Sequence, residues 1–200
     1  MIKLLGEKIF ALPSRWHSND CVTKSELRKA IRVRLDALPP EIKSHESAEI
    51  CRSVVHTPQW QDARVIGFFS PLASEPDIDL LWAVLGERIV CYPRIAGDDL
   101  VFIWVPDRES LLESDRWDLL EPPHLDERVM PVEKIDLLFV PGVAFTSDGH
   151  RMGRGRGYYD RFLAQPGFRA ASCGVCFAEQ IVPHLPMEDH DQPVNAVFSA

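Results

Sequence analysis

The sequence predicts an α/β layered domain whose mostly parallel sheet is flanked by helices. Three observations carry that expectation. Short apolar runs of strand length alternate with segments of helical period between residues 42 and 105. The run at 135–140, IDLLFV, is apolar on both faces, as a strand buried in a parallel sheet must be. The chain has 200 residues, 46% hydrophobic and 26% charged, enough for one sizeable core without disulfides and too few for more than one or two domains.

Residues 1–22 read as a ragged N-terminal extension, in which Glu7 and Lys8 interrupt a short apolar patch before it reaches the length of a secretory core. Thr23-Lys24-Ser25-Glu26 is a capping-box pattern that opens the domain assigned to 23–200. Leu27, Ala30, Ile31, Leu35 and Leu38 follow at helical spacing until Pro39-Pro40 stops the helix. Its other faces hold Lys24, Arg28, Lys29, Arg32 and Arg34, which form either a solvated basic surface or an anion site. A second helix covers 42–56 and ends before Pro58. Residues 64–69 (RVIGFF) form a strand, 77–85 a helix closed by Gly86, and 88–92 (RIVCY) the next strand, together a βαβ unit. A strand at 100–105 and a polar, proline-broken stretch at 107–133 precede IDLLFV. A helix then begins near Tyr158 and stops at Pro166-Gly167, and strands over 171–177 and 194–198 complete the sheet.

The net charge of -8 argues against a general nucleic-acid binder, which needs cations over much of a face. No run approaches the roughly 18 apolar residues of a membrane span, so no membrane partner is expected. Five scattered cysteines do not form a secreted disulfide framework and point to the cytoplasm. Cys173 and Cys176 could be a redox or zinc pair, but no second pair exists to complete a zinc site, and two cysteines of a strand or its turn is the simpler reading.

In such sheets ligands sit beyond the carboxyl ends of the strands, so the segment after IDLLFV is where chemistry belongs. Between Gly149 and Arg161 four arginines meet one aspartate, a local charge of +3 in an acidic chain. Gly153, Gly155 and Gly157 let backbone N–H groups approach a ligand, Arg154 and Arg156 add forked donors, and the following helix points its positive end at the same place. These features suit phosphate. The third glycine of a dinucleotide fingerprint is absent, as is the Gly-Lys-Ser/Thr of a P-loop, and an RNA-binding Arg-Gly tract would be longer and not fused to an apolar helix. A ligand-free Gly/Arg surface loop is the plain alternative.

Bound nucleotide phosphates call for a hard cation held by carboxylates. Asp160, directly after the glycine loop, is the first candidate, and the run Glu188-Asp189-His190-Asp191 offers others unless it is merely a solvated turn. Glu75, beyond the carboxyl end of RVIGFF, is a ligand-edge acid or a turn acid.

The run Gly149-x-Arg151-Met152-Gly153-Arg154-Gly155-Arg156-Gly157-Tyr158-Tyr159-Asp160-Arg161, preceded by Pro141-Gly142-Val143-Ala144-Phe145, closely resembles the signature of the 5-formyltetrahydrofolate cyclo-ligase (methenyltetrahydrofolate synthetase) family. The likeness extends to Lys24-Ser25-Glu26-Leu27-Arg28, to 70–79 with Glu75, to Tyr92-Pro93-Arg94, to 117–122 and to Asp191-x-Pro193-Val194, covering about 23–198. It implies a single Rossmann-like α/β domain that converts 5-formyltetrahydrofolate and ATP into 5,10-methenyltetrahydrofolate, ADP and phosphate with Mg²⁺, acting as a monomer or homodimer in the cytoplasm. Lys24 to Arg28 and Arg151 to Tyr159 would bind ATP. Arg28, Glu75 and Arg154 to Tyr158 would face the folate, with Glu75 on the pterin. Arg154 would stabilise the transferring phosphoryl group, and Asp160 and Asp191 would hold Mg²⁺. Trp117 would pack near the folate or in the core.

Two positions depart from the pattern. Thr146 follows Phe145 where most relatives carry aspartate, and Asn195 replaces a frequent aspartate. The threonine is expected to loosen loop anchoring or metal affinity. The competing readings are a folate- or nucleotide-binding regulator without turnover and a sugar-phosphate or CoA-handling enzyme on a similar sheet.

Overall fold

The computed structural model describes residues 22–114, 119–123 and 125–200. Helix α1 (Lys24–Asp36) starts on the predicted capping box: Thr23 Oγ1 accepts from Glu26 N at 3.2 Å, and the Glu26 carboxylate accepts from Thr23 N at 2.9 Å. Helix α2 (Pro40–Val55) begins on proline, whose missing N–H costs nothing at a helix start. A short α3 (Pro58–Asp62), capped by Thr57 and burying Trp60, was not anticipated, because five residues are too few to show a period.

Among the described residues the strands in chain order are β1 (Val65–Gly67), β2 (Ile89–Ala96), β3 (Asp99–Val105), β4 (Leu112–Glu113), β5 (Leu120–Glu121), β6 (Val129–Met130), β7 (Leu137–Val140), β8 (Ala144–Phe145), β9 (Arg151–Met152), β10 (Ala171–Cys176) and β11 (Ala196–Ser199). Seven of them form one sheet in the order β11-β10-β7-β1-β2-β3-β6; β4 pairs with β5, and β8 with β9. The first five are mutually parallel, whereas β3 and β6 are antiparallel additions at one edge. The sheet is thus mostly parallel, as expected. The surprise is the β2–β3 hairpin, closed at Ala96 and Asp99 by a turn in which Gly97 has φ +66. The Gly97-Asp98 turn was the overlooked signal. The crossover from β1 to β2 is a 3-10 helix (Ile78–Val84), not the expected α-helix, with Ile78 and Leu81 buried. Helix α4 (Tyr158–Leu163) ends short of Pro166.

All four residues of β7 are buried, which bears out the two-sided apolar reading. Leu137 and Phe139 join Ile50, Val54, Trp60, Phe68 and Tyr92 on the face covered by α2. Leu138 and Val140 join Phe102, Phe145 and Phe162 on the face covered by α4. A third cluster seats Leu27, Ile31 and Leu35 of α1 against Ala144, Met152, Phe177 and Val182. Among the described residues no helix is long and apolar enough to cross a membrane.

Cys173 packs on the α2 face and Cys176 on the α4 face, because strand residues three apart point in opposite directions. Neither a disulfide nor a shared metal can join them. Burial pushes the Cys173 thiol up to about 11, and burial with the nearby Glu46 charge pushes Cys176 up to about 12. Cys51, raised to about 12, and Cys91 are buried too. Iodoacetamide at pH 8 is therefore expected to leave Cys51, Cys91, Cys173 and Cys176 unmodified in the native protein and to alkylate all four after denaturation, as read by peptide mass mapping.

Candidate functional site

Four segments meet beyond the carboxyl ends of the parallel strands: 68–77 after β1, 141–157 after β7, 177–192 after β10, and the first turns of α1. The segment after β7 is a hairpin. Strands β8 and β9 form its arms, with Val143 N donating to Met152 O at 2.8 Å, and Gly153 to Gly157 lead on into α4. Thr146, 4% exposed, anchors the tip: its hydroxyl accepts from His150 N at 3.1 Å and donates to the Asp148 carboxylate. At the tip, anchoring is thus supplied by the Thr146 hydroxyl itself. Asn195 likewise keeps a carbonyl acceptor where a carboxylate is frequent, receiving both Ser172 N and Ser172 Oγ.

Arg151 and Met152 do not line the cleft. Met152 belongs to the α1 cluster. Arg151 is 2% exposed; its Nη2 lies 2.6 Å from Asp160 Oδ1, and its Nη1 donates to Pro141 O at 3.3 Å. It braces the hairpin from inside, because Asp160, in the first turn of α4, neutralises it where little solvent reaches. Of the four arginines counted as a local positive field, this one is already spent.

Arg154, Gly155 and Arg156 are exposed. Arg154 reaches across to Glu75, with Nη2 2.8 Å and Nε 3.3 Å from Glu75 Oε1, and also donates to Ser74 Oγ at 3.1 Å. Glu75 is 8% exposed and its other oxygen accepts from Leu72 N at 3.1 Å, so it is a turn acid and a ligand-edge acid at once. Gly155 adopts φ +103, a conformation that side chains rarely take, and a Cβ there would lie 3.5 Å from Arg28 Nη2. Arg28 in turn donates from Nε to Gly153 O at 2.9 Å, which holds α1 against the glycine run. Tyr158 lies under the Arg161 guanidinium, 5.2 Å from its ring centroid. Burial, reinforced by the Glu75 charge, pushes the Tyr159 phenol up, so it stays protonated. Helix α4 spans only six residues, so the positive character comes from guanidiniums and backbone amides more than from a helix end.

Within 24–28, Glu26 closes the capping box, Leu27 faces the core and Ser25 is exposed on the helix, leaving Lys24 and Arg28 turned toward the cleft. Lys24 Nζ sits 2.7 Å from Asp191 Oδ2 and 3.3 Å from Glu188 Oε1. Burial works to raise Asp191, but the Lys24 ammonium, the Glu188 amide and the His190 charge outweigh it and hold its carboxyl below the usual range. Asp160 Oδ1 accepts from Gln192 N at 3.2 Å as well as from Arg151, so the two aspartates flank one stretch of chain. Asp160 commits one oxygen to Arg151; Asp191 commits Oδ2 to Lys24, and its Oδ1 lies 3.8 Å from His190 Nε2. Among the described residues no group of three His, Cys, Asp or Glu gathers as a metal site. Two carboxylates are nonetheless the donor set that Mg²⁺ takes when phosphates and water complete its shell.

Beside the Ser70-Pro71 end of the cleft lies a cavity of about 390 Å³ lined by Ser70, Pro71, Asp79, Arg108, Leu119 and Leu120 among others. Asp79 anchors it, paired with Arg108 Nε at 2.6 Å and accepting from Tyr92 Oη at 2.5 Å. Trp117 lies outside the described residues. Sequence reasoning missed Ser74 and Glu188 as partners of Arg154 and Lys24. Glu188 was visible within its charged run, whereas nothing in the sequence distinguishes Ser74.

A sequence model of the 5-formyltetrahydrofolate cyclo-ligase family matches residues 20–200. The 5-formyltetrahydrofolate cyclo-ligase of Mus musculus is 28% identical over 187 residues, covering 88% of this chain and 92% of that protein. The 5-formyltetrahydrofolate cyclo-ligase of Escherichia coli K12 is 31% identical over 178 residues, covering 84% of this chain and 96% of that one. The solution structure of Aquifex aeolicus 5,10-methenyltetrahydrofolate synthetase superposes with a TM-score of 0.77 at 28% identity, over 88% of this chain and 89% of that one.

Proposed function

This chain belongs to the 5-formyltetrahydrofolate cyclo-ligase family, and from that premise we propose that the cleft between the glycine hairpin, α1 and residues 70–76 carries the ATP-dependent cyclisation of 5-formyltetrahydrofolate to 5,10-methenyltetrahydrofolate. The observation that carries the assignment of the site is the meeting of Arg154 and Glu75 at 2.8 Å across 79 residues of sequence, with Arg28 bound to Gly153 beside them. A cation suited to phosphate and a carboxylate suited to the N–H groups of a pterin thereby share one cleft.

The chemistry needs both substrates in contact. A formyl amide oxygen is a poor leaving group, so it attacks the terminal phosphorus of ATP, forming a C–O–P linkage as the bond to ADP breaks. N10 of the folate then bonds to the activated carbon, its proton is lost, and phosphate departs with the former formyl oxygen. Little covalent work falls to the protein; positioning and charge neutralisation dominate. Arg154 neutralises the transferring phosphoryl group. Lys24, Arg28, Arg156 and the backbone amides of Gly153 to Gly157 hold the polyphosphate, Tyr158 and Tyr159 close its far side, and Glu75 accepts from the pterin. Arg151 and Met152 act from beneath by keeping the hairpin in shape. Asp160 and Asp191 would hold Mg²⁺, which when bound supplies positive charge to the phosphates. Both Lys24 and Arg154 rest on carboxylates, so phosphate enters by exchange of partners.

Mixing the protein with ATP, Mg²⁺ and 5-formyltetrahydrofolate tests the reading through growth of the methenyl product's near-ultraviolet band. Growth that requires ATP supports it; nucleotide or folate binding without that band would replace it with a protein that binds and does not turn over. In the same assay Asp191→Asn is expected to raise the Mg²⁺ concentration for half-maximal rate on the order of tenfold. An unchanged metal titration would remove Asp191 from the metal site.

A further inference from the structure

We propose that Gln180 is a positioning residue for phosphoryl transfer: it sets the glycine hairpin in register with α1 and thereby fixes Arg154 relative to Arg28 and Lys24. The assignment rests on the enzyme reading above and adds a residue to it. Gln180 is 1% exposed, although it is polar and belongs to a short surface turn after β10. Every polar position of its carboxamide is used. Nε2 donates to Gly142 O at 2.8 Å and to Val143 O at 3.2 Å, the two carbonyls at the base of the hairpin, and Oε1 accepts from Phe177 N at 2.8 Å. The residues that follow extend the same junction: Ile181 bridges Phe145, and Val182 N donates to Phe145 O at 2.8 Å.

The other side of this turn carries α1. Arg34 Nη1 donates to Glu179 O at 2.8 Å, and Leu27, Ile31 and Leu35 pack on Phe177 and Val182. The hairpin and the helix therefore share one support, and Arg28 meets Gly153 at the same end of the hairpin, where its second arm leaves for the glycine run. A small rotation at this base therefore moves Gly153 and, directly after it, Arg154. Phosphoryl transfer is sensitive to such shifts, because a misplacement of about 1 Å can cost on the order of a hundredfold in rate. None of the three Gln180 bonds goes to residues 70–76, which among the described residues hydrogen-bond to the hairpin only through Arg154, and Glu75 keeps its own bond from Leu72 N, so the folate half of the cleft should feel its loss less than the phosphate half.

Gln180→Met keeps the length and apolar fit but removes both donors and the acceptor. Steady-state kinetics on the full chain are expected to show kcat lowered between about tenfold and a hundredfold and KM for ATP raised by more than KM for 5-formyltetrahydrofolate, with the fold retained by circular dichroism. A folded variant whose kinetic constants match wild type, or in which both KM values rise equally, overturns the assignment. If Gln180→Met does not fold, Arg34→Met, which frees α1 from the same turn, must show the same selective rise in KM for ATP; equal constants there overturn it too. Absence of turnover in wild type would instead sink the enzyme reading itself.

Discussion

Arg154→Ala is expected to lower kcat by about 10² to 10³, the usual cost of deleting a donor aimed at developing charge. The fold should survive. The Arg154 side chain is 47% exposed, so water can take its place beside Glu75, whose side chain is 5% exposed and keeps the Leu72 N–H, and the loss of stability should stay below that from breaking a pair buried on both sides. Arg154→Lys should fall between the two, because it keeps the charge but loses the fork that reaches Glu75 through both Nη2 and Nε. Stopped assays on purified variants would read this directly. Full turnover in Arg154→Ala would strip the residue of its part in phosphoryl transfer, whatever else the cleft binds.

The largest effect on stability is expected from Arg151→Met. Both members of the Arg151–Asp160 pair are largely removed from water, with side chains 2% and 13% exposed, and deleting one leaves the other buried without its countercharge. Breaking such a pair costs about 3 kcal/mol or somewhat more, which lowers the melting temperature by about 6–12 °C for a domain of this size. Asp160→Asn, which retains an acceptor for Arg151, should cost less. ATP affinity is expected to fall in Arg151→Met as well, as a consequence of a softened hairpin. A variant with unchanged melting and a sharply raised KM for ATP would show instead that Arg151 touches the nucleotide directly, as the family pattern implies.

That arginine illustrates what a sequence hides. Four arginines against one aspartate read as a free positive field, but the partnership of residues 151 and 160 depends on the glycine run turning the chain back into α4, which no count of charges can register. The same holds for Thr146, whose hydroxyl finds partners two and four residues away only because the tip curls. Elements specified by neighbouring residues were legible: the capping box of α1, the two-sided apolar β7 and the glycine run before α4. The antiparallel edge of the sheet was legible in principle from Gly97-Asp98. The opposite orientation of Cys173 and Cys176 followed from strand alternation alone, once the strand was accepted. Gln180 was beyond reach, since its importance lies in carbonyls 37 and 38 positions away.

The carboxylates resting on Lys24 and Arg154 bear on selectivity. A visiting anion is not drawn into an open positive well; it must offer enough oxygens to replace the acids it evicts. On the proposed reading inorganic phosphate or a nucleoside monophosphate would satisfy one such displacement and leave the other uncompensated. A triphosphate would engage both, so the resting cleft would favour a longer polyphosphate before any chemistry begins.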